Sequence, residues 1–382
     1  MSNNTKYGTN ALANNTDGIQ NSAFGIDSAL NNTTGNYNSA FGAFSLANNI
    51  TGGSNSAFGT NCLLENTDGS YNTAFGTATL CFNTTGSKNT AIGSNSLENN
   101  TTGNENTAVG VQGLYSNTSG NQNTSVGVQS LYSNSSGSGN TAFGFNSSYN
   151  NTTGYSNTSI GHSALENNTT GNDNIAFGYQ ALNKCTVGSR NIAIGNGSLY
   201  LITDSSYNTA HGSNTFQDLT SGYQNTAIGY KAGKNLTTGY NCTYIGNGAE
   251  STSSNASNEM VLGNSSLTTI NYYGSFNSLS DGRDKTDIKS LEPKNEGINF
   301  ITKLNPVFFT WNMRDGGRIG DRDIGFIAQE LKQAQEDANV SIPDLVIDKN
   351  PDKILVSHDK LLAVLVRSIQ DLKEEIDELK KK

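Results

Sequence analysis

One glycine recurs every seventeen residues through the first two thirds of the chain. It follows an apolar or aromatic residue in phrases such as N-T-A-F-G and occurs sixteen times, from Gly8 to Gly263, without insertion or deletion. A composition so rich in Asn, Thr, Ser and Gly would by itself favour disorder. An unbroken period over sixteen units instead predicts stacked, equivalent turns of backbone.

Each repeat also has a regular internal pattern. The residue before the recurrent glycine is bulky, the one before that is small, and a small residue and a Leu follow three and four positions after the glycine, as in Phe41 and Leu46. A second glycine, such as Gly35 or Gly52, ends most N-T-T-G phrases, and we expect it to supply the positive φ of a tight turn. Two short strands and two turns per repeat then predict a parallel β-solenoid.

Alternation along a strand would place the small and the bulky side chains on opposite sides of the ribbon. With one bulky and one small residue per strand, a single chain would have only a small core. A face of small residues also permits close approach by other chains. We therefore expect a mainly β, trimeric parallel β-solenoid. The N-T-A-I-G phrasing resembles the head repeats of trimeric autotransporter adhesins and the shafts of viral tail fibres.

Charge and proline separate this repetitive region from the rest of the chain. Up to Gly263 there are six basic and twelve acidic residues, whereas all four prolines and the single Trp follow it. A mildly acidic surface repels phosphate backbones, so we do not expect nucleic-acid binding. The chain has no apolar run of about 20 residues for membrane insertion and no secretory signal at its start, so we expect export by another route, such as packaging in a virus particle.

The cysteines, one histidine and the tyrosines are the candidate site residues of the repeats. The four cysteines lack zinc-type spacing and are expected to be buried free thiols: Cys62, Cys81, Cys185 and Cys242. His211 takes the bulky position before its glycine and is interpreted as a tolerated polar residue of the core, with no metal site or cofactor expected. The exposed tyrosines are expected mainly to cover the rims of coils, with sugar stacking as the alternative: Tyr37, Tyr71, Tyr115, Tyr132, Tyr149, Tyr155, Tyr207, Tyr223 and Tyr240.

A different kind of sequence begins with S-D-G-R-D-K-T-D-I at Ser280 to Ile288. Together with G-F-I-A-Q-E-L at Gly325 to Leu331 and the helical L-L-A-V-L-V-R-S-I-Q-D-L near the end, it resembles the intramolecular chaperone auto-processing domain. That domain ends phage endosialidases and many viral tail spikes. The resemblance covers Ser280 to Lys382 and implies a small α+β domain that trimerises the chain.

The resemblance also implies a self-cleaving serine peptidase with no external substrate. By the family's pattern, Ser280 is the nucleophile, Lys285 is the base that takes its proton, and the bond between Leu279 and Ser280 is cut. Asp281 and Arg283 match the motif and are expected to position the loop. Asp284 replaces an apolar residue of the pattern, and a carboxylate beside Lys285 would favour the charged form of the lysine and weaken it as a base.

The last segment predicts a helix with an apolar seam. Its residues alternate at intervals of three and four and are flanked by Lys and Glu, as in a coiled coil: Leu362, Leu365, Ile369, Leu372, Ile376 and Leu379. Packing of this helix on its own domain is the alternative. Because Ile at a with Leu at d would favour a dimer, the expected trimer depends on the family resemblance and not on this helix.

These observations predict three segments: residues 1–263 as the solenoid shaft, 264–279 as a connector to the cleavage site, and 280–382 as the chaperone domain. The leading hypothesis is a receptor-binding viral tail fibre, made in the host cytoplasm and located in the virion. Its expected partners are two further copies, other virion fibre or tail proteins, and a host surface receptor, for which a glycan is one candidate. The alternatives are a glycan-degrading tail spike, which would need paired carboxylates about 5–9 Å apart, and a cellular surface adhesin.

Overall fold

The computed structural model describes residues 3–271, 285–292, 296–313, 319–348 and 354–381. The chain divides into two compact units, Met1–Gly263 and Asn264–Lys382. No helix in the described part of the chain combines the length and the apolar character needed to cross a membrane.

The first unit is a sixteen-stranded parallel sheet in which each strand pairs with the next strand along the chain. Partner residues are seventeen positions apart, as in Ser39 and Ser56, so the predicted β-solenoid of seventeen-residue coils is confirmed. The strands are Thr5–Tyr7 (β1), Ser22–Phe24 (β2), Ser39–Phe41 (β3), Ser56–Phe58 (β4), Thr73–Phe75 (β5), Thr90–Ile92 (β6), Thr107–Val109 (β7), Thr124–Val126 (β8), Thr141–Phe143 (β9), Thr158–Ile160 (β10), Ile175–Phe177 (β11), Ile192–Ile194 (β12), Thr209–His211 (β13), Thr226–Ile228 (β14), Thr243–Ile245 (β15) and Met260–Leu262 (β16).

Each coil contains one three-residue strand, and the prediction of two strands per coil was wrong. The segment around the second bulky residue is not extended, because Leu46 and its counterparts have a φ near +50°. That backbone conformation costs an L-residue about 1–2 kcal/mol. The Leu46 side chain is fully buried, which contributes about 1.5–3 kcal/mol, and its amide donates a hydrogen bond to Cys62 in the next coil.

The small side chains face the inside of the coil. Ala40, Ala57 and Ala74 have no exposed surface and belong to the same core cluster as Leu46 and Leu63. The bulky third residue of each strand points outward instead: Phe75 is 54% exposed and Phe143 is 55% exposed. The expectation that the small-residue face lies open to other chains was therefore wrong, because that face is already covered within the chain.

The two recurrent glycines are required for different structural reasons. The positive φ belongs to the glycine after the strand, for example 134° at Gly42, and the glycine of the N-T-T-G phrase has none, contrary to the prediction. A Cβ at Gly35 would lie 2.3 Å from the carbonyl oxygen of Gly52 and 2.6 Å from Oδ1 of Asn32. Close approach of successive coils therefore requires this second glycine.

Two columns of buried asparagines satisfy polar groups inside the coils. In one column, the amide of Asn123 donates to the carbonyl of Gly137 at 2.8 Å, and its Oδ1 accepts from the backbone N–H of Asn140 at 3.0 Å. In the other, Asn100 donates to Oδ1 of Asn83 at 2.7 Å. Buried polar groups are generally hydrogen-bonded, and these ladders provide such bonds between successive coils. The second column ends at Asn168, whose Oδ1 accepts no hydrogen bond from the described residues, and Cys185 takes the next position.

In the last coils other residues replace the buried asparagines. The asparagine column continues through Asn225 to Cys242 and then to Glu259, whose carboxylate accepts from the Tyr244 hydroxyl at 2.8 Å and the Ser251 hydroxyl at 3.0 Å. Tyr244 is fully buried, and burial raises the pKa of its hydroxyl. The carboxylate of Glu259 therefore takes over the hydrogen bonding of the asparagine column at this end of the solenoid.

In its described residues the second unit contains three helices and two small antiparallel sheets. Phe300 and Leu345 are fully buried at its centre. In chain order its elements are Ile298–Ile301 (α1), Val307–Asn312 (β17), Ile319–Gly325 (β18), Ala328–Ala338 (α2), Val346–Ile347 (β19), Leu355–Val356 (β20) and Lys360–Leu379 (α3). The predicted small α+β region with a terminal helix is confirmed.

Candidate functional site

Most of the predicted cleavage motif lies outside the described residues. This applies to Leu279, Ser280, Asp281 and Arg283, and so to the scissile bond and the nucleophile. Lys285 is the first described residue after them, and it is exposed. The assignment of Ser280 and Lys285 as a catalytic pair therefore stays a prediction.

The second motif, Gly325 to Leu331, joins a strand to a helix. Gly325 is the last residue of β18, and Leu331 is buried in the first turns of α2. Phe326 packs against the core around Phe300, and Glu330 accepts a hydrogen bond from the Asn305 amide at 3.1 Å. In the described residues this motif is structural, because its apolar members hold the sheet and α2 to one core.

One face of α3 packs on its own unit. Its buried residues are Leu361, Val364, Ser368 and Asp371, again at intervals of three and four. The Asp371 carboxylate has no exposed surface and contacts Arg367 at 2.6 Å. It also accepts the backbone N–H of Ile298, the first residue of α1, at 3.2 Å. This buried charge is paired with a cation and hydrogen-bonded, which is what a buried carboxylate requires.

The predicted seam of α3 lies one residue further round the helix and is exposed. Its exposed fractions are 67% for Leu362, 43% for Leu365, 66% for Ile369, 44% for Leu372, 49% for Ile376 and 68% for Leu379. Packing on the chain's own domain, the alternative raised for this helix, therefore applies to the neighbouring face and not to the six seam residues. One face of α3 is thus buried against its own unit, and a second, apolar face is exposed beside it, which indicates a second packing partner for this helix.

The histidine and the cysteines of the shaft are placed as follows. His211 is exposed, on the outward side of β13, so the expectation that it is a core residue was wrong. All four cysteines are buried and unpaired, which confirms that prediction. Burial raises the pKa of the Cys185 thiol to about 12, so that thiol is un-ionised at neutral pH and chemically inert.

The tyrosines form separate groups on the surface. Tyr115, Tyr132 and Tyr149 stack on one another with centroids 5.0 and 4.9 Å apart and nearly parallel planes. Both faces of Tyr132 are therefore covered, and sugar stacking requires an open ring face. The Arg190 guanidinium lies over the ring of Tyr207, with its Cζ atom 5.4 Å from the ring centroid. Sequence analysis missed these ladders, although tyrosines spaced by seventeen in consecutive repeats were the available signal.

Together, the coils and the C-terminal unit define a class of protein: a repetitive parallel β-solenoid followed by a small, separate α+β domain. Residues 280–346 match the family model described as chaperone of endosialidase. The match confirms the resemblance drawn from the motifs, and it includes Ser280, Lys285 and the motif at Gly325 to Leu331. It ends before α3. No curated protein and no solved structure matches the chain.

Proposed function

We propose that the protein is a subunit of a trimeric viral tail fibre or tail spike whose C-terminal domain is an intramolecular chaperone that cuts itself away. The observation that carries the proposal is the match of residues 280–346 to the chaperone of endosialidase in a chain whose other unit is a long, regular solenoid. The virion is the corresponding location, and adhesion to a host surface receptor is the corresponding role of the shaft.

A chaperone is needed because the shaft specifies its register poorly. Each coil offers the same outward strand pattern as its neighbours, so chains shifted by a multiple of seventeen residues would lose few contacts. A domain that assembles first would fix a common starting point for all chains. Coils could then add one at a time from that end, as in other repeat proteins.

The exposed seam of α3 is the surface we assign to that first assembly. Its six residues are apolar and exposed, whereas the neighbouring face of the same helix holds it to its own domain through Leu361 and Val364. Coiled-coil pairing of the seam with two further copies would bury it. The helix is short for an independent coiled coil, so packing on the domain supports it.

Cleavage would separate the two parts after assembly. In the proposed step the Ser280 hydroxyl oxygen attacks the carbonyl carbon of Leu279, and Lys285 takes the hydroxyl proton. The bond from that carbonyl carbon to the Ser280 nitrogen breaks, the nitrogen gains a proton, and an ester links Leu279 to the Ser280 oxygen. Water then hydrolyses the ester. The trimer left behind no longer contains the domain that set its register. Its stability is therefore kinetic, governed by the rate at which it unfolds and not by an equilibrium with its separated chains.

The test is the intact mass of the purified protein. We expect the wild type to split into pieces of 279 and 103 residues, the latter being 382 minus 279, and Ser280→Ala and Lys285→Ala to remain whole. Ser278→Ala and Lys289→Ala change the same residue types close by and should cleave normally. Wild type that stays whole after native folding would contradict self-cleavage.

A further inference from the structure

The outer face of the solenoid sheet is an apolar stripe whose members are exposed or half-buried in the described part of the chain. In the fourteen strands from β2 to β15 the middle residue is buried and the first and third point outward, as in the patterns of β5, β9 and β11, whereas the middle residues of the terminal strands β1 and β16 are not buried. We define the outer stripe as the third residue of all sixteen strands, from Tyr7 to Leu262. Fifteen of its members are Phe, Tyr, Ile, Val or Leu, and the remaining one is His211.

We propose that the outer stripe is the surface by which copies of this chain contact one another along the shaft. This inference rests on the proposed trimeric fibre and replaces the small-residue face, which is buried, as the contact surface. The partner is a second, parallel copy of the same chain.

The size of the stripe supports an interface. A half-exposed Phe such as Phe75 or Phe143 presents roughly 100 Å² of apolar surface. The sixteen positions, some of which carry smaller or less exposed side chains, would together present on the order of 1,000 Å², more than the few hundred Å² usual for an apolar patch on a monomer. A specific interface buries about 800 Å² on each partner, so the stripe is large enough to provide one.

Its chemistry also suits a buried surface. The first residues of the strands, which flank the stripe, are Ser, Thr, Ile or Met, so neither outward position of any strand carries a charged residue. Ion pairs of the shaft lie elsewhere on the coil, between Lys88 and Glu105 and between Arg190 and Asp173. Charges are depleted at interface centres and retained at exposed rims.

The axial spacing identifies the partner as another copy. The rings of Phe24 and Phe41 stack with centroids 4.8 Å apart, and those of Phe41 and Phe58 are 4.9 Å apart. A partner that contacts every rung must present apolar groups at the same repeat along the whole shaft. A parallel sheet has that spacing, and a parallel copy of this chain presents it with matching length.

Cysteine crosslinking of the full-length chain tests the inference. Phe143→Cys and Phe75→Cys place a thiol in the outer stripe. Thr153→Cys and Thr85→Cys place one ten residues later in the same coils, at exposed positions outside the strands. The four native cysteines are buried, so wild type should give no product. With a short bismaleimide we expect covalent shaft dimers from the two stripe variants and none from their controls.

Light scattering of the same samples separates this inference from the proposed function. A trimer in which the stripe variants do not crosslink, or in which the controls crosslink instead, would overturn the outer stripe as the interface and leave the trimeric fibre intact. A monomeric shaft would overturn both. Because Phe75 and Phe143 are more than half exposed in the single chain, their replacement should not prevent a coil from forming.

Discussion

The recurrent glycine after each strand is the residue on which the coil geometry depends most. At Gly42 the backbone has a φ of 134°, which an L side chain rarely adopts. A Cβ there would also lie 2.4 Å from the carbonyl oxygen of Gly59 in the next coil. Backbone strain and a contact between coils therefore act at the same atom, which explains why this position is glycine in all sixteen repeats.

Gly42→Ala should therefore destabilise the shaft by about 3 kcal/mol or more, from strain and overpacking together. Gly53→Ala in the same coil is the matched control. Its Cβ would come no closer than 3.1 Å to another atom, and the corresponding positions of other coils carry side chains such as Asn36 and Ser70. We expect a change below about 1 kcal/mol there, measured by denaturant unfolding. Equal losses in the two variants would contradict this account.

Sequence periodicity predicted the residues of the coil better than their conformations. Spacing alone located the glycines and Leu46 correctly, because a repeat that stacks must place equivalent residues in equivalent sites. It could not predict that Leu46 has a positive φ, since local preference opposes that conformation. The contacts between coils that stabilise it join residues sixteen or seventeen positions apart, such as Leu46 with Cys62 and with Leu63, and are not visible in a local pattern.

At the scale of elements, α3 differs from an ordinary surface helix in having an exposed apolar face beside the face that is buried against its own unit. Val364 and Asp371 attach one face to the domain, whereas Ile369 and Leu372 lie on the exposed seam. The heptad spacing predicted the seam as a surface for other chains. The buried face was not predicted, because its members include Ser368 and the buried Asp371, and a carboxylate is rarely assigned to a core from sequence.

Ile369→Asp should abolish trimer assembly while leaving the fold of the domain unchanged. Ile369 is 66% exposed in the single chain, so a carboxylate there meets water before assembly and is desolvated only by assembly. Gln370→Asp introduces the same charge at the next, exposed position and should assemble normally. Size-exclusion chromatography with light scattering measures assembly, and circular dichroism checks the fold. A trimeric Ile369→Asp protein would contradict the role assigned to the seam.

At the scale of the whole molecule, the two units differ in sequence complexity, because one is repetitive and the other is not. The shaft repeats one strand pattern sixteen times, whereas the C-terminal unit has a unique sequence, its own core and the exposed apolar seam of α3 that we propose as its assembly surface. Composition and period predicted this division, since charge, proline and glycine usage change near the boundary. The cleavage site could be predicted only through family resemblance, because a Ser and a Lys five residues apart are not specific by themselves.

The central claim is that the C-terminal domain sets the register of a shaft that cannot set its own. It is tested most directly by producing residues 1–279 alone and comparing them with the full chain and with full-length Ser280→Ala. Light scattering and electron microscopy would measure the yield and length of soluble trimers.

We expect uniform trimers from both full-length proteins. The truncated chain should give about a tenth of that yield or less, because in-register association competes with shifts by multiples of seventeen residues. Uniform, soluble trimers of residues 1–279 in normal yield would contradict the account.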